Sequence, residues 1–329
     1  MSKYFVPTAR PASVRAARRA GHGYGETAQP DWRRVDWVRH LHQVEIDGAL
    51  VNYVDIGSGD REPVVFVHGL GGQWQNWLEN LPRAARERRV IALDLPGFGL
   101  SAMPHDRITI SGYGRTVEAL AERLGLGRVE IVGNSMGGFI GAEVAIQFPQ
   151  RVDRLLLVSA AGITSADLAH QPILTIGRVA AAVGAYSAGG DRQIAARPKS
   201  RHMALALVAR HPSLLKPDLA YEGFFKGTGK PGFVDALRAS LEYDFRDRLP
   251  DIRQPTLIVW GENDSIIPVK DAAEFERLIP DSRKVVMADT GHISMAERPG
   301  AFNELMMDFL AESGPAADKQ PVEGRSQVA

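Results

Sequence analysis

Short apolar runs alternate along the chain with longer stretches in which apolar positions recur at helical spacing. Val64-Val65-Phe66-Val67 contains no polar residue, the pattern of a strand covered on both faces. Similar runs follow at 90–93, 129–132, 155–158, 257–260 and 284–287. Ahead of them, 43–46 and 50–56 read as paired strands joined at Asp47-Gly48, a strong hairpin dipeptide. Helical stretches separate most of the runs, at about 75–86, 111–124, 136–148, 269–278 and 299–310. This alternation predicts an α/β fold with a mainly parallel central sheet flanked by helices.

The alternation breaks between Leu157 and Pro255, and residues from about 163 to 247 hold Ala- and Leu-rich helical segments without a convincing strand. A helical cap inserted between two sheet strands, lying over the sheet's C-terminal edge, is the economical explanation. The core then comprises residues 41–162 and 248–312. Residues 1–40 read as a basic N-terminal extension, with Arg10, Arg15, Arg18, Arg19, Arg33, Arg34 and Arg39 against only Glu26, Asp31 and Asp36. A solvated arm packed on the body is the first reading. Weak peripheral contact of a basic helix at 12–20 with anionic lipid is the alternative. Trp32 and Trp37 predict that the second half of the extension docks. Residues 313–329 are polar and read as a disordered tail.

Composition narrows this picture in a few places. The 329 residues permit one large domain with an insertion. Lys and Arg number 39 and Asp and Glu 39, so the net charge is zero and no nucleic-acid partner is expected. The absence of cysteine excludes disulfides, thiolate metal sites and a Cys nucleophile. No apolar run approaches the roughly 20 residues of a membrane span. No apolar stretch follows the N-terminal arginines as a secretory signal would require. A cytoplasmic protein is the simple expectation.

The strongest chemical signal is Gly133-Asn134-Ser135-Met136-Gly137, followed by Gly138. It comes directly after an apolar run and opens a helical one, the strand–turn–helix context that a G-x-S-x-G nucleophile elbow needs. Ser135 is the candidate nucleophile. A serine hydroxyl needs a base, and His292, in Asp289-Thr290-Gly291-His292 after the last strand run, is the candidate among nine histidines. Asp264 follows the run 257–260 and completes the order Ser, Asp, His. Glu262 is the competing acid, and Asp264 is preferred because it lies farther along the loop. The oxyanion donors are expected to be the backbone N–H groups of Met136 and Leu70, with Gly71 second to Leu70 in the segment His68-Gly69-Leu70-Gly71-Gly72. His68 reads as a loop-fixing hydrogen bonder.

Other signals are weaker. The segment 227–232, GTGKPG, fits G-x-G-x-x-G but lacks the flanking strand and helix of a dinucleotide site. His40 and His42 would share a strand face without a third ligand, so no metal is expected. Leu205, Leu207, Leu214, Leu215, Phe224, Phe225 and Phe233 read mostly as cap core, with a minority lining an acyl pocket.

With HGLGG at 68–72, DLPGFGLS at 94–101, GNSMGG at 133–138, WGENDSIIP at 260–268 and GHISMAERP at 291–299, the chain resembles the capped branch of the α/β-hydrolase family from about residue 44 to 310. That branch includes esterases, lipases, epoxide hydrolases, dehalogenases and meta-cleavage-product hydrolases. The resemblance implies no cofactor. Ser at 135, where dehalogenases and epoxide hydrolases of the family carry Asp, speaks against both. GNSMGG resembles the meta-cleavage hydrolases, which break C–C bonds, typically carry Trp after the histidine and hold substrate with a cap arginine. This chain has Ile293, and Arg178, Arg192, Arg197 and Arg201 are undistinguished candidates. These departures favour a serine esterase acting on a small-molecule ester with an apolar acyl group. C–C hydrolysis of a dienone and a ligand-binding or inactive scaffold are the alternatives.

Overall fold

The computed structural model describes residues 23–25, 31–164, 192–226 and 231–312. Eight strands form one sheet: β1 Leu41–Ile46, β2 Ala49–Ile56, β3 Val64–Val67, β4 Val90–Leu93, β5 Val129–Asn134, β6 Val152–Val158, β7 Thr256–Gly261 and β8 Ser282–Met287. Their order is β1-β2-β4-β3-β5-β6-β7-β8. The first two strands pair antiparallel, β2 runs antiparallel to β4, and the remaining neighbours are parallel. Asp47 and Gly48 both have positive φ (49° and 76°), the requirement of a primed two-residue hairpin turn.

The apolar runs supply both faces of the sheet. Val65 and Val67 face one core with Phe139, Ile140 and Phe275, while Val64 and Phe66 face the other with Trp77, Leu81 and Phe302. Helices α1 (Ile110–Arg123), α2 (Met136–Gln147) and α4 (Lys270–Leu278) contribute to the first layer, and α5 (Pro299–Ala311) to the second. Thr109 caps α1, its side chain accepting from the Gly112 N–H.

The helix expected at 75–86 is instead a 3-10 turn, Trp74–Trp77, and a short helix, Leu81–Ala84. Trp74, Trp77, Leu78 and Leu81 are all buried. Between the two pieces the Asn80 amide donates to Met295 O (3.1 Å) and Asn303 Oδ1 (2.8 Å). Those tertiary bonds interrupt what periodicity reads as one helix.

Among the described residues between β6 and β7 there is no strand. They form Arg192–Ala196, Pro198–Ala204, a π-helical turn at Ala220–Phe225, and α3 (Phe233–Glu242). Leu205, Leu215, Phe225 and Phe233 are buried, Leu214 and Phe224 are half-buried, and Leu207 is exposed. The insertion is tied to the core at Tyr243, whose hydroxyl donates to the buried Glu143 carboxylate (2.8 Å), and at Phe245, packed on Phe139.

The extension contributes to the core before residue 41. Trp32 is buried and donates its Nε1–H to Glu79 (2.9 Å), and Trp37 rests on Trp74 at 5.0 Å between rings. Tyr24 is also buried in the second core. The stretch 12–20, Arg178, most of the GTGKPG segment and residues 313–329 lie outside the described residues. Among described residues no helix is long and apolar enough to cross a membrane.

Candidate active site

β5 ends at Asn134 and α2 begins at Met136, so Ser135 alone makes the turn between them. Its backbone sits at φ 57°, ψ −119°, a sparsely populated conformation for a residue with a Cβ. The surroundings hold it there: Ser135 N donates to Val158 O (2.9 Å), and Ser135 O accepts from Gly138, Phe139 and Ala161 N–H at 3.0–3.2 Å. Glycine is required on both sides of the turn. A Cβ on Gly133 would lie 2.2 Å from Gly137 O, and one on Gly137 would lie 2.1 Å from Val67 O. The Met136 N–H heads α2 and donates to no described residue, as first-turn amides of a helix do. It therefore faces an anion-favouring helix end.

The loop after β3 runs alongside. A Cβ on Gly69 would stand 3.0 Å from Ser135 Cβ, so this loop borders the serine directly. His68 fixes its path: Nδ1–H donates to Gly69 O (2.7 Å) and Nε2 accepts from Leu95 N–H (3.0 Å). Complete burial lowers the His68 pKa to about 4, so the ring is neutral and each nitrogen keeps one role. Gly72 N–H also donates to Gly69 O (3.0 Å). Leu70 lies half-buried on this loop, and its N–H, like that of Met136, donates to no described residue. Asp94 ties the loop to its neighbour, accepting from Trp74 N (2.8 Å), Leu100 N (2.9 Å) and Asn52 Nδ2 (2.9 Å).

A third and a fourth loop, after β7 and β8, bring Asp264 and His292 together. His292 Nδ1 lies 2.7 Å from Asp264 Oδ2, and both side chains are buried. The other carboxylate oxygen, Oδ1, accepts from Ile266 N (2.8 Å) and Ile267 N (2.9 Å). Asp264 thus presents a single oxygen to the imidazole. Glu262 is exposed and accepts from Asp289 N (3.2 Å), away from the ring. Asn134, next to the serine, joins the elbow to the histidine loop, its amide donating to Val158 O (3.1 Å) and His292 O (3.3 Å).

The insertion reaches two of these loops. Gln73 Nε2 donates to Glu222 O (2.9 Å) and Asn76 Nδ2 to Gly223 O (2.5 Å), both carbonyls in the π-helical turn. His292 N donates to Val208 O (2.9 Å), and Arg210 and His211 contact Asp289 at 3.1 and 2.7 Å. Of the cap arginines, Arg201 is buried and donates to the carbonyls of Ala195 and Ser213, Arg192 lies on the surface 3.6 Å from Glu222, and Arg197 is exposed.

His40 closes a 3-10 turn rather than lying in β1, its Nδ1 3.1 Å from Asp55 O, and His42 packs on Tyr53. A charged cavity of about 620 Å³, lined in part by Arg88, Glu130, Arg154 and Arg253, lies at the opposite, N-terminal edge of the sheet. It is remote from these loops.

A strand-to-helix serine turn, with histidine and aspartate delivered by the later loops of a mostly parallel sheet, defines a class. Residues 62–299 match the family described as alpha/beta hydrolase fold, and the chain belongs to that family. It is 35% identical over 285 residues to 2-hydroxy-6-oxo-2,4-heptadienoate hydrolase of Pseudomonas putida, covering 80% of this chain and 94% of the relative. It is also 35% identical over 271 residues to the dihydrolipoyllysine-residue acetyltransferase component of an acetoin cleaving system of Pseudomonas putida, covering 82% of this chain and 68% of the relative. A solved N-acyl homoserine lactone degrading enzyme superimposes with TM-score 0.62 at 28% identity, covering 82% of this chain and all of that one. The chain is a hydrolase of the α/β fold.

Sequence reasoning named the serine, histidine and aspartate positions but not Asn134, Tyr24 or Glu297, which join the loops. Glu297 had a visible signal, an acid directly after the apolar pair Met295-Ala296 in the turn ISMAERP. Tyr24 had none.

Proposed function

We propose that the protein is a serine hydrolase that cleaves carboxylic esters through an acyl-enzyme on Ser135. The observation that carries this reading is the 2.7 Å pair of His292 Nδ1 and Asp264 Oδ2 on loops tied to the serine turn. With Nδ1–H donated to Asp264, Nε2 is left as a base. Ser135 Oγ attacks the acyl carbonyl as His292 Nε2 takes its proton, and the Met136 and Leu70 N–H groups bind the resulting oxyanion. The C–O bond breaks, and the imidazolium returns the proton to the leaving alcohol. Water then attacks the acyl-enzyme, with His292 again as base.

Three features support an ester. One is the lactone-degrading enzyme among the solved relatives. Another is Ile293, which stands where meta-cleavage hydrolases typically carry Trp. The third is the cap: Arg201 is engaged with backbone carbonyls and Arg192 lies beside Glu222, which suits an uncharged substrate. A second reading, hydrolysis of the C–C bond of a ring-cleavage dienoate, is favoured by the name of the Pseudomonas putida hydrolase at 35% identity. The test is a series of chromogenic esters of increasing chain length run beside a dienoate. Ester turnover abolished in Ser135→Ala is the expected result. Turnover of the dienoate with negligible ester activity would assign the second reading. Ester turnover unchanged in Ser135→Ala would remove the nucleophile altogether.

A further inference from the structure

We infer that Tyr24, in the N-terminal extension, and Glu297 form a buried positioning site that holds the His292 loop in working geometry. The inference rests on the reading of His292 as the base.

Glu297 is fully buried, and its carboxylate gathers donors from three separate segments. From the histidine loop, Gly291 N–H reaches both oxygens at 2.9 and 3.0 Å and Ile293 N–H lies at 3.3 Å. These are the residues immediately before and after His292. From the insertion, Arg210 N–H donates at 2.8 Å. From the extension, the Tyr24 hydroxyl donates to Oε2 in a short hydrogen bond. The same hydroxyl accepts from His211 N (2.8 Å), and Gly25 N–H donates to Glu297 O (2.7 Å). The Tyr24 hydroxyl thus both donates and accepts at this junction, and both Glu297 carboxylate oxygens accept there.

His292 is bracketed by these contacts. Its own N–H is held by Val208 O, its carbonyl by Asn134 and its ring by Asp264, while its two neighbours are held by one carboxylate. Only the ionised carboxylate can accept from all of these donors, since protonation would turn one of its oxygens into a donor. Burial raises the Glu297 pKa to about 7 against those donors, so the tyrosine hydrogen bond is one of the contacts keeping the loop's anchor charged. The charged groups around the junction are Arg298, whose guanidinium lies 5.2 Å over the Tyr24 ring, and Asp289, which pairs with Arg210, His211 and Arg298. The extension thus closes a contact set between core and insertion that the histidine loop depends on, although it supplies no group to the chemistry.

The test uses the full chain with Tyr24→Phe, which keeps the ring and removes only the hydroxyl, and Glu297→Gln as a second variant. Active-site labelling with a fluorophosphonate first establishes the serine hydrolase reading. No labelling of the wild type, or labelling that persists in Ser135→Ala, sinks that reading and leaves the positioning question to NMR. In Tyr24→Phe the expected result is a loss in kcat of roughly 10- to 100-fold, with KM changed less than about threefold. The downfield proton resonance of the His292–Asp264 hydrogen bond should broaden or shift in both variants. Tyr24→Phe matching the wild type in kcat and in that resonance overturns the inference. So does a loss of turnover that only tracks the loss of folded protein, with the resonance unchanged in the folded fraction.

Discussion

Asp264→Asn probes the candidate site most sharply, because the structure dictates which way the amide would turn. Asp264 Oδ1 accepts two backbone N–H groups, from Ile266 and Ile267 at 2.8 and 2.9 Å. Only an oxygen suits that position, since an NH2 there would face two donors and cost about 1–3 kcal/mol per unmade bond. The asparagine is therefore forced to aim its Nδ2 at His292. That nitrogen is a donor, so His292 Nδ1 must become the acceptor and the ring proton moves to Nε2. A histidine in that tautomer cannot take the Ser135 proton. The substitution is nearly isosteric, so the fold and the substrate pocket stay in place while the base is switched off. The expected loss in kcat is about 10⁴-fold, the size seen when a triad aspartate becomes asparagine, or about 5 kcal/mol of barrier. The assay is kcat on the best ester of the chain-length series, with thermal unfolding as the control. A Glu262→Gln variant run in parallel should change kcat by less than about twofold. A loss under tenfold for Asp264→Asn, or a larger loss for Glu262→Gln, would refute the tautomer argument.

Two further outcomes test the scaffold. Gly137→Ala places a Cβ 2.1 Å from Val67 O, a backbone atom that cannot step aside without moving β3. It should cost at least 1–3 kcal/mol by chemical denaturation, and a variant as stable as the wild type would show that the elbow is looser than described. His68 carries a pKa lowered to about 4 by burial, so the unfolded chain binds a proton that the folded one refuses. Stability is accordingly full above pH ~6.5, the ordinary histidine value, and falls as the pH drops toward 4, by about 3 kcal/mol for a shift of this size. Urea unfolding of the wild type and His68→Gln across that range should show a shallower slope in the variant. Parallel slopes would mean that another group carries the acid sensitivity.

Much of the sheet was legible because its strands are buried on both faces and so appear as uninterrupted apolar runs. Val64–Val67 and Val90–Leu93 are found where the runs predict them. β5 and β6 extend beyond theirs: parallel pairing of Asn134 with Val158 and of Val129 with Val152 carries polar residues into the ladder. The segment 74–84 misled for the opposite reason, since its tryptophans and leucines are buried around a side-chain hydrogen bond that no periodicity records. The serine turn could be read locally, because strand, glycines and helix are adjacent in sequence. The preference for Asp264 over Glu262 rested on reach alone, and the pairing with His292 is a long-range fact. Tyr24 lay in the extension, where the arginines suggested a solvated arm and only Trp32 and Trp37 pointed to docking. A single buried aromatic among them carries no local pattern.

The positions of β7 and β8 have a consequence for synthesis. Among the described residues they are the last two strands in chain order and lie together at one end of the sheet, and the loops that follow them carry Asp264 and His292. While the chain emerges from the ribosome, the elbow and its helix are synthesised well before either residue exists. On the proposed reading, Ser135 is until then an ordinary alcohol, with no base to take its proton. A chain cut short anywhere before residue 292 is expected to be chemically silent however much of the sheet it has built.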